Sequence, residues 1–124
     1  MYQLGNKSRS KLDGVHPDLV AVVERAIQLT EQDFSVGEGL RSIDRQRELV
    51  KSGKSKTMNS RHLTGHAVDL FPYPLSWDWE YFYPIAEAMK QAAKELGVAI
   101  EWGGDWTSFP DGPHFQLSWG SYPK

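Results

Sequence analysis

The sequence predicts an α+β fold, with about three helices packed against a small antiparallel sheet in a single compact domain. Three observations point there. Long segments repeat apolar residues at helical spacing, several short segments alternate apolar residues as strands do, and the two kinds do not alternate strictly, with two strand candidates placed like a hairpin near the end. At 124 residues the chain matches one domain, 1–124, long enough to bury a core without disulfides or a structural metal.

Residues 1–14 are polar and predict either a loosely packed arm or a short packed one. In "HPDLVAVVERAIQL" Pro17 suits a first helical position, and Leu19, Val22, Val23, Ala26 and Ile27 fall on one face. His16, just before it, reads as a helix-end residue, capping or facing solvent. "DFSVGEGL" alternates through Phe34 and Val36 as a short strand, loosened by Gly37 and Gly39. A second helix is expected from an N-cap at Ser42 to about Ser52, stopped by Gly53, and residues 53–61 read as a loop. "HAVDLF" reads as a strand ended by Pro72 and Pro74. "WEYFYPIAEAMKQAAKEL" carries Phe82, Ile85, Ala86, Met89, Ala93 and Leu96 at helical spacing up to Gly97, with Pro84 implying a later start or a kink. "VAIEW" and "HFQLSW" close the chain as strands.

Composition excludes several classes. The chain has no cysteine, so thiolate metal sites and disulfides are out, and any transition metal must be held by imidazole and carboxylate. A net charge of −2 argues against a nucleic-acid binder relying on a broad positive field. The basic run "KSGKSK" from Lys51 to Lys56 is either a solvated loop or a patch facing an anionic wall polymer. No apolar run approaches the ~20 residues of a membrane span, so no membrane insertion is expected. "MYQLGNKSRS" has no apolar stretch behind its charges and no signal-peptide character, which predicts synthesis as a soluble cytoplasmic chain.

The chemistry concentrates in "SRHLTGHAVDL", Ser60 to Leu70. If His62 closes a loop and Asp69 sits on the following strand, Gly65 lets the chain turn so that both side chains can reach one ion. On that strand Asp69 shares a face with Ala67 and Phe71, and a carboxylate buried there is costly unless a cation or donor pairs with it. His114, at the start of the last strand, is the candidate third ligand. Two imidazoles and a carboxylate would leave a zinc ion one position for water, whose pKa the ion lowers. Asp111, set by the Gly112–Pro113 turn, is the nearest candidate proton acceptor. On spacing alone, a metal site and a structural His/Asp pair stand about level. His66 reads as a neighbour rather than a ligand, because the glycine and the strand argue against a helical His pair. Trp102, Trp106 and Phe109 read either as core or as walls of a substrate groove. Asp105 either caps its loop or binds a second cation.

The same stretch resembles the Ser-x-His-x-x-Gly-x-Ala-x-Asp signature of zinc peptidases that cleave peptidoglycan stem peptides, a family of D-Ala-D-Ala dipeptidases and carboxypeptidases and L-alanyl-D-glutamate endopeptidases. "EWGGDWTSFPDGPHFQL", Glu101 to Leu117, is similar to the endopeptidase branch found in phage endolysins and bacterial wall hydrolases, and "GLRS" matches the family's arginine segment. The resemblance implies Zn2+ held by His62, Asp69 and His114, with Asp111 as general base and later proton donor. It implies Arg41 beside the scissile carbonyl or a substrate carboxylate, where the alternative is a surface salt bridge. Ser60 matches the family serine, either touching substrate or holding the loop, and Trp106 is a candidate substrate contact. An aspartate at 111, where the carboxypeptidase branch usually has glutamate, favours the endopeptidase branch.

The function expected from this resemblance is zinc-dependent cleavage of the L-Ala–D-Glu bond by an endolysin. The substrate would be the peptidoglycan stem peptide, the enzyme a monomer, and a holin would open the way from the host cytoplasm to the wall. The alternatives are a D-Ala-D-Ala carboxypeptidase or dipeptidase, and a non-catalytic zinc or wall-binding module.

Overall fold

The computed structural model describes residues 1–123. Along the chain lie α1 (Asn6–Lys11), α2 (Pro17–Leu29), β1 (Phe34–Glu38), α3 (Ile43–Lys51), β2 (Ala67–Pro72), α4 (Trp79–Leu96), β3 (Ile100–Trp102) and β4 (His114–Leu117). Short 3₁₀ turns occupy Arg61–Thr64 and Gly103–Asp105.

The helices start and stop for local reasons. His16 caps α2 by accepting the Asp18 N–H at Nδ1, 3.0 Å away, with Pro17 in the first turn. Ser42 caps α3 by accepting the Arg45 N–H. α4 begins at Trp79, not later, and runs through Pro84 to Gly97, which takes φ 69°. Pro84 forfeits one early helical hydrogen bond, and the buried face carrying Ile85, Met89 and Ala92 offsets that loss.

A fourth helix, α1, was not legible as one. Its six residues have no apolar stripe, because the anchors Leu4, Leu12 and Val15 lie outside it, buried in the core. α1 packs on β1, and Ser8 Oγ accepts the Val36 N–H at 3.0 Å. β1 is an edge strand, so this bond occupies a donor that an open edge would expose.

The sheet is antiparallel throughout, in the order β1-β2-β4-β3. Register divides it into two unlike faces. Val36 pairs with Leu70 and Val68 with Phe115, which puts these side chains with Leu117 on the face covered by the helices. Each such fully buried side chain contributes roughly 1.5–3 kcal/mol. The opposite face carries Asp69 opposite His114, and Gln116 opposite both Ala67 and Glu101. The two faces are carried by the same strands, so the packed apolar face positions the polar one. Among the described residues no helix is long and apolar enough to cross a membrane.

Candidate active site and metal centre

His62, Asp69 and His114 converge on the polar face. One ligand atom from each lies within 4.8 Å of the others. His62 Nε2 is 3.2 Å from Asp69 Oδ1, and His114 Nδ1 is 3.4 Å from the same oxygen. An ion bound tetrahedrally at about 2.05 Å has ligand-to-ligand edges of about 3.3 Å, so these separations fit one. Three residues apart in character and in chain position thus form a cluster able to hold a metal ion.

Local structure aims each side chain. Ser60 accepts the His62 N–H at Oγ, 3.2 Å away, and so caps the 3₁₀ turn that presents His62. Gly65 ends that turn at φ 74°, and a Cβ there would lie 2.3 Å from the Gly14 carbonyl oxygen, so only glycine fits. His62 Nδ1 meets the Gly39 carbonyl at 2.8 Å, leaving Nε2 for the site. Asp69 and His114 face each other because they are direct partners in the β2–β4 register.

Burial disfavours the charged form of Asp69, but hydrogen bonds from His114 and His62, with their charges, outweigh it and hold the carboxyl well below the usual carboxylate range. Burial likewise opposes charge on His114. The hydrogen bond to Asp69 and that residue's charge outweigh it and raise the imidazole above its ordinary value.

Asp111 borders the same cleft, an opening of about 930 Å³. Its carboxyl is raised by partial desolvation against the cleft wall and then by the like charge of Asp69. The segment carrying it is pinned from two sides. Its N–H donates to the Gly103 carbonyl at 2.9 Å, and the Trp102 indole donates to the Gly112 carbonyl at 2.7 Å.

Arg41 is not a surface salt bridge. Its side chain is only 9% exposed, paired with Glu38, hydrogen-bonded to Gln46 Oε1 at 2.7 Å and 3.8 Å from Asp69 Oδ2. Its buried Nε–H has no hydrogen-bond partner among the described residues.

The aromatic candidates divide. Trp102 is core, 5% exposed, whereas Trp106 and Phe109 line the cleft, with the Trp106 ring 5.2 Å from that of His114. Lys54 and Lys56 of the basic run border the same cleft, Lys56 lying 5.2 Å over the Phe109 ring. Asp105 is engaged by Lys90 at 2.8 Å. His66 lies outside the cluster, its Nδ1 2.6 Å from Thr64 Oγ1.

Sequence reasoning missed Glu38, Gly103, Gln116 and Glu101. Gln116 Oε1 is 2.8 Å from His114 Nε2, and a Cβ on Gly103 would lie 2.4 Å from the Asp111 carbonyl oxygen. Glu38 had a readable signal in its spacing from Arg41; Gly103 and Glu101 had none, because their roles depend on strand pairing and close approach.

Known proteins resemble this chain along nearly its whole length. A family model described as phage L-alanyl-D-glutamate peptidase matches residues 1–117. The L-alanyl-D-glutamate peptidase of Escherichia phage T5 is 33% identical over 128 residues, covering 98% of this chain and 93% of that protein. The peptidoglycan L-alanyl-D-glutamate endopeptidase CwlK of Bacillus subtilis (strain 168) is 34% identical over 107 residues, covering 68% of this chain and 60% of that one. The crystal structure of the Serratia marcescens L-Ala D-Glu endopeptidase ChiX superposes with a TM-score of 0.92 at 52% identity, covering 96% of this chain and 92% of that one. With the signature, the fold and the site agreeing along the whole molecule, the chain belongs to the phage L-alanyl-D-glutamate peptidase family.

Proposed function

We propose that this protein is a zinc-dependent peptidoglycan hydrolase that cuts the L-Ala–D-Glu bond of the stem peptide, acting as an endolysin in host lysis. The observation that carries the reading is the convergence of His62, Asp69 and His114, whose ligand atoms lie within 4.8 Å of one another, beside the cleft that Asp111 borders. The names of the relatives support the bond. An all-imidazole and carboxylate donor set suits zinc, which supplies Lewis-acid activation of water and of the scissile carbonyl.

The protein's own groups do the rest. Asp111, with its carboxyl held above the usual range, takes the proton of the attacking water and returns it to the leaving amine. Arg41 borders the cleft, and its guanidinium charge stabilises the negative charge that develops on the carbonyl oxygen. Glu38 and Gln46 hold its guanidinium in place beforehand. Trp106 forms a wall for the peptide next to His114, and Ser60 serves mainly to set the His62 turn. The enzyme works as a monomer, is made in the host cytoplasm, and meets the wall once a holin opens the membrane.

The test pairs metal analysis with mass spectrometry of digested sacculi. One zinc per chain and new amino-terminal D-Glu support the proposal. Released D-Ala would assign the chemistry to the D-Ala-D-Ala bond instead, and binding to sacculi without any peptide release would make the protein a wall-binding module.

A further inference from the structure

Gln46, 0% exposed in α3, ties Arg41 to the loop that follows the helix. Its Oε1 accepts from Arg41 Nη1 at 2.7 Å. Its Nε2 donates to Ser55 Oγ at 2.9 Å and to the Thr57 carbonyl at 2.6 Å. The amide can sit only this way round, because a guanidinium only donates and a carbonyl only accepts. The Lys54 and Ser55 N–H groups add bonds to the Leu49 carbonyl, at 2.8 and 3.0 Å. The basic loop is thus anchored from inside, through the same buried amide that holds Arg41.

That loop sets Lys54 and Lys56 along the cleft, while Lys51, in the last turn of α3, lies off it. The carboxylates that line the cleft are already committed. Glu38 pairs with Arg41, Asp69 stands between His62 and His114, and Asp111 is the proton acceptor of the proposed reaction. Arg45 is met by Glu48 at 3.3 Å. Lys54 and Lys56 have no ion pair among the described residues, and the Lys56 ammonium lies over the Phe109 ring. Two ammonium groups fixed at the edge of the cleft without a carboxylate suit an anion brought by the substrate. Glutamate has two carboxyl groups and a stem peptide continues through only one. The residue on the amine side of the scissile bond therefore keeps a free carboxylate, and carboxylates farther along the stem are the other source.

We propose that Lys54 and Lys56 bind a carboxylate of the stem peptide and so select acidic stems over amidated ones, a specificity that rests on the L-Ala–D-Glu reading above.

The experiment uses the zinc-loaded full chain and three synthetic stem peptides. One has every carboxylate free, one is amidated at the free carboxyl of D-Glu, and one is amidated at every carboxyl beyond D-Glu. Wild type should cut the first with a KM roughly 10-fold below that of one amidated peptide, which identifies the carboxylate bound. Lys54→Gln combined with Lys56→Gln should bring that KM ratio to roughly 1 with zinc content unchanged, and raising the salt should shrink it in wild type. Lys51→Gln removes the same charge off the cleft and should keep the wild-type ratio. Equal KM for all three peptides in wild type overturns the proposal. So does a double variant that keeps the wild-type ratio and only loses kcat on all three peptides alike, or a ratio lost equally in Lys51→Gln. Wild type that cuts none of the three refutes the L-Ala–D-Glu reading instead, so the two failures are told apart.

Discussion

Asp69 and His114 are direct partners across the antiparallel β2–β4 pair, with Asp69 Oδ1 3.4 Å from His114 Nδ1. Their side chains share one sheet face because pleated strands alternate, while Val68 and Phe115 beside them point into the core.

Asp111 is outside the ligand cluster, so the two roles separate. Asp111→Ala should fold, retain zinc and lose roughly 10²–10⁴ in rate. His114→Ala should lose zinc and activity together. Metal content by mass spectrometry, beside release of peptide from sacculi, checks both; an active Asp111→Ala would remove that residue from the mechanism.

Arg41 bridges Glu38 and Gln46 with two different nitrogens. Lysine keeps the charge but not the planar fork. Arg41→Lys should therefore leave metal content unchanged and lower kcat roughly 10²-fold. Unaltered kcat would show that the guanidinium has no part in charge stabilisation.

Gly103 touches the backbone of Asp111, and its missing Cβ would also lie 3.1 Å from the Cβ atoms of Asp111 and His114. Gly103→Ala should cost about 1–3 kcal/mol of stability by overpacking and depress activity by displacing both residues. Gly120→Ala, where no described residue lies within 4 Å, should change neither. Thermal melts and sacculus digestion of the pair measure the contrast.

Metal-free protein should have an optimum of stability on the mildly acidic side. The His114 pKa is raised on folding, so its contribution is complete below about pH 6.5 and fades as pH rises through the folded value. The Asp69 pKa is depressed, so its contribution is present above about pH 3.9 and fades as pH falls through the folded value. Ligation needs a neutral imidazole, so the stabilisation that zinc adds should grow with pH. Melting temperatures across pH, with chelator and with zinc, test this; a zinc increment that shrinks as pH rises would contradict it.

The sequence by itself determined the apolar faces of α2 and α4, the caps at Ser42 and Gly97, the core and site faces of β2, and the short list containing His62, Asp69, His114 and Asp111. These are local properties, written in periods of 3.6 and 2 and in residue chemistry at short spacing. Tertiary structure decided the rest. It buried Leu4 and Leu12 so that a polar hexapeptide became α1, sent Trp102 to the core and Trp106 to the cleft, and set Glu101 behind Gln116 and His114. Which strand lies beside which, and in what register, depends on contacts between residues distant in the chain, and no local pattern encodes the partner.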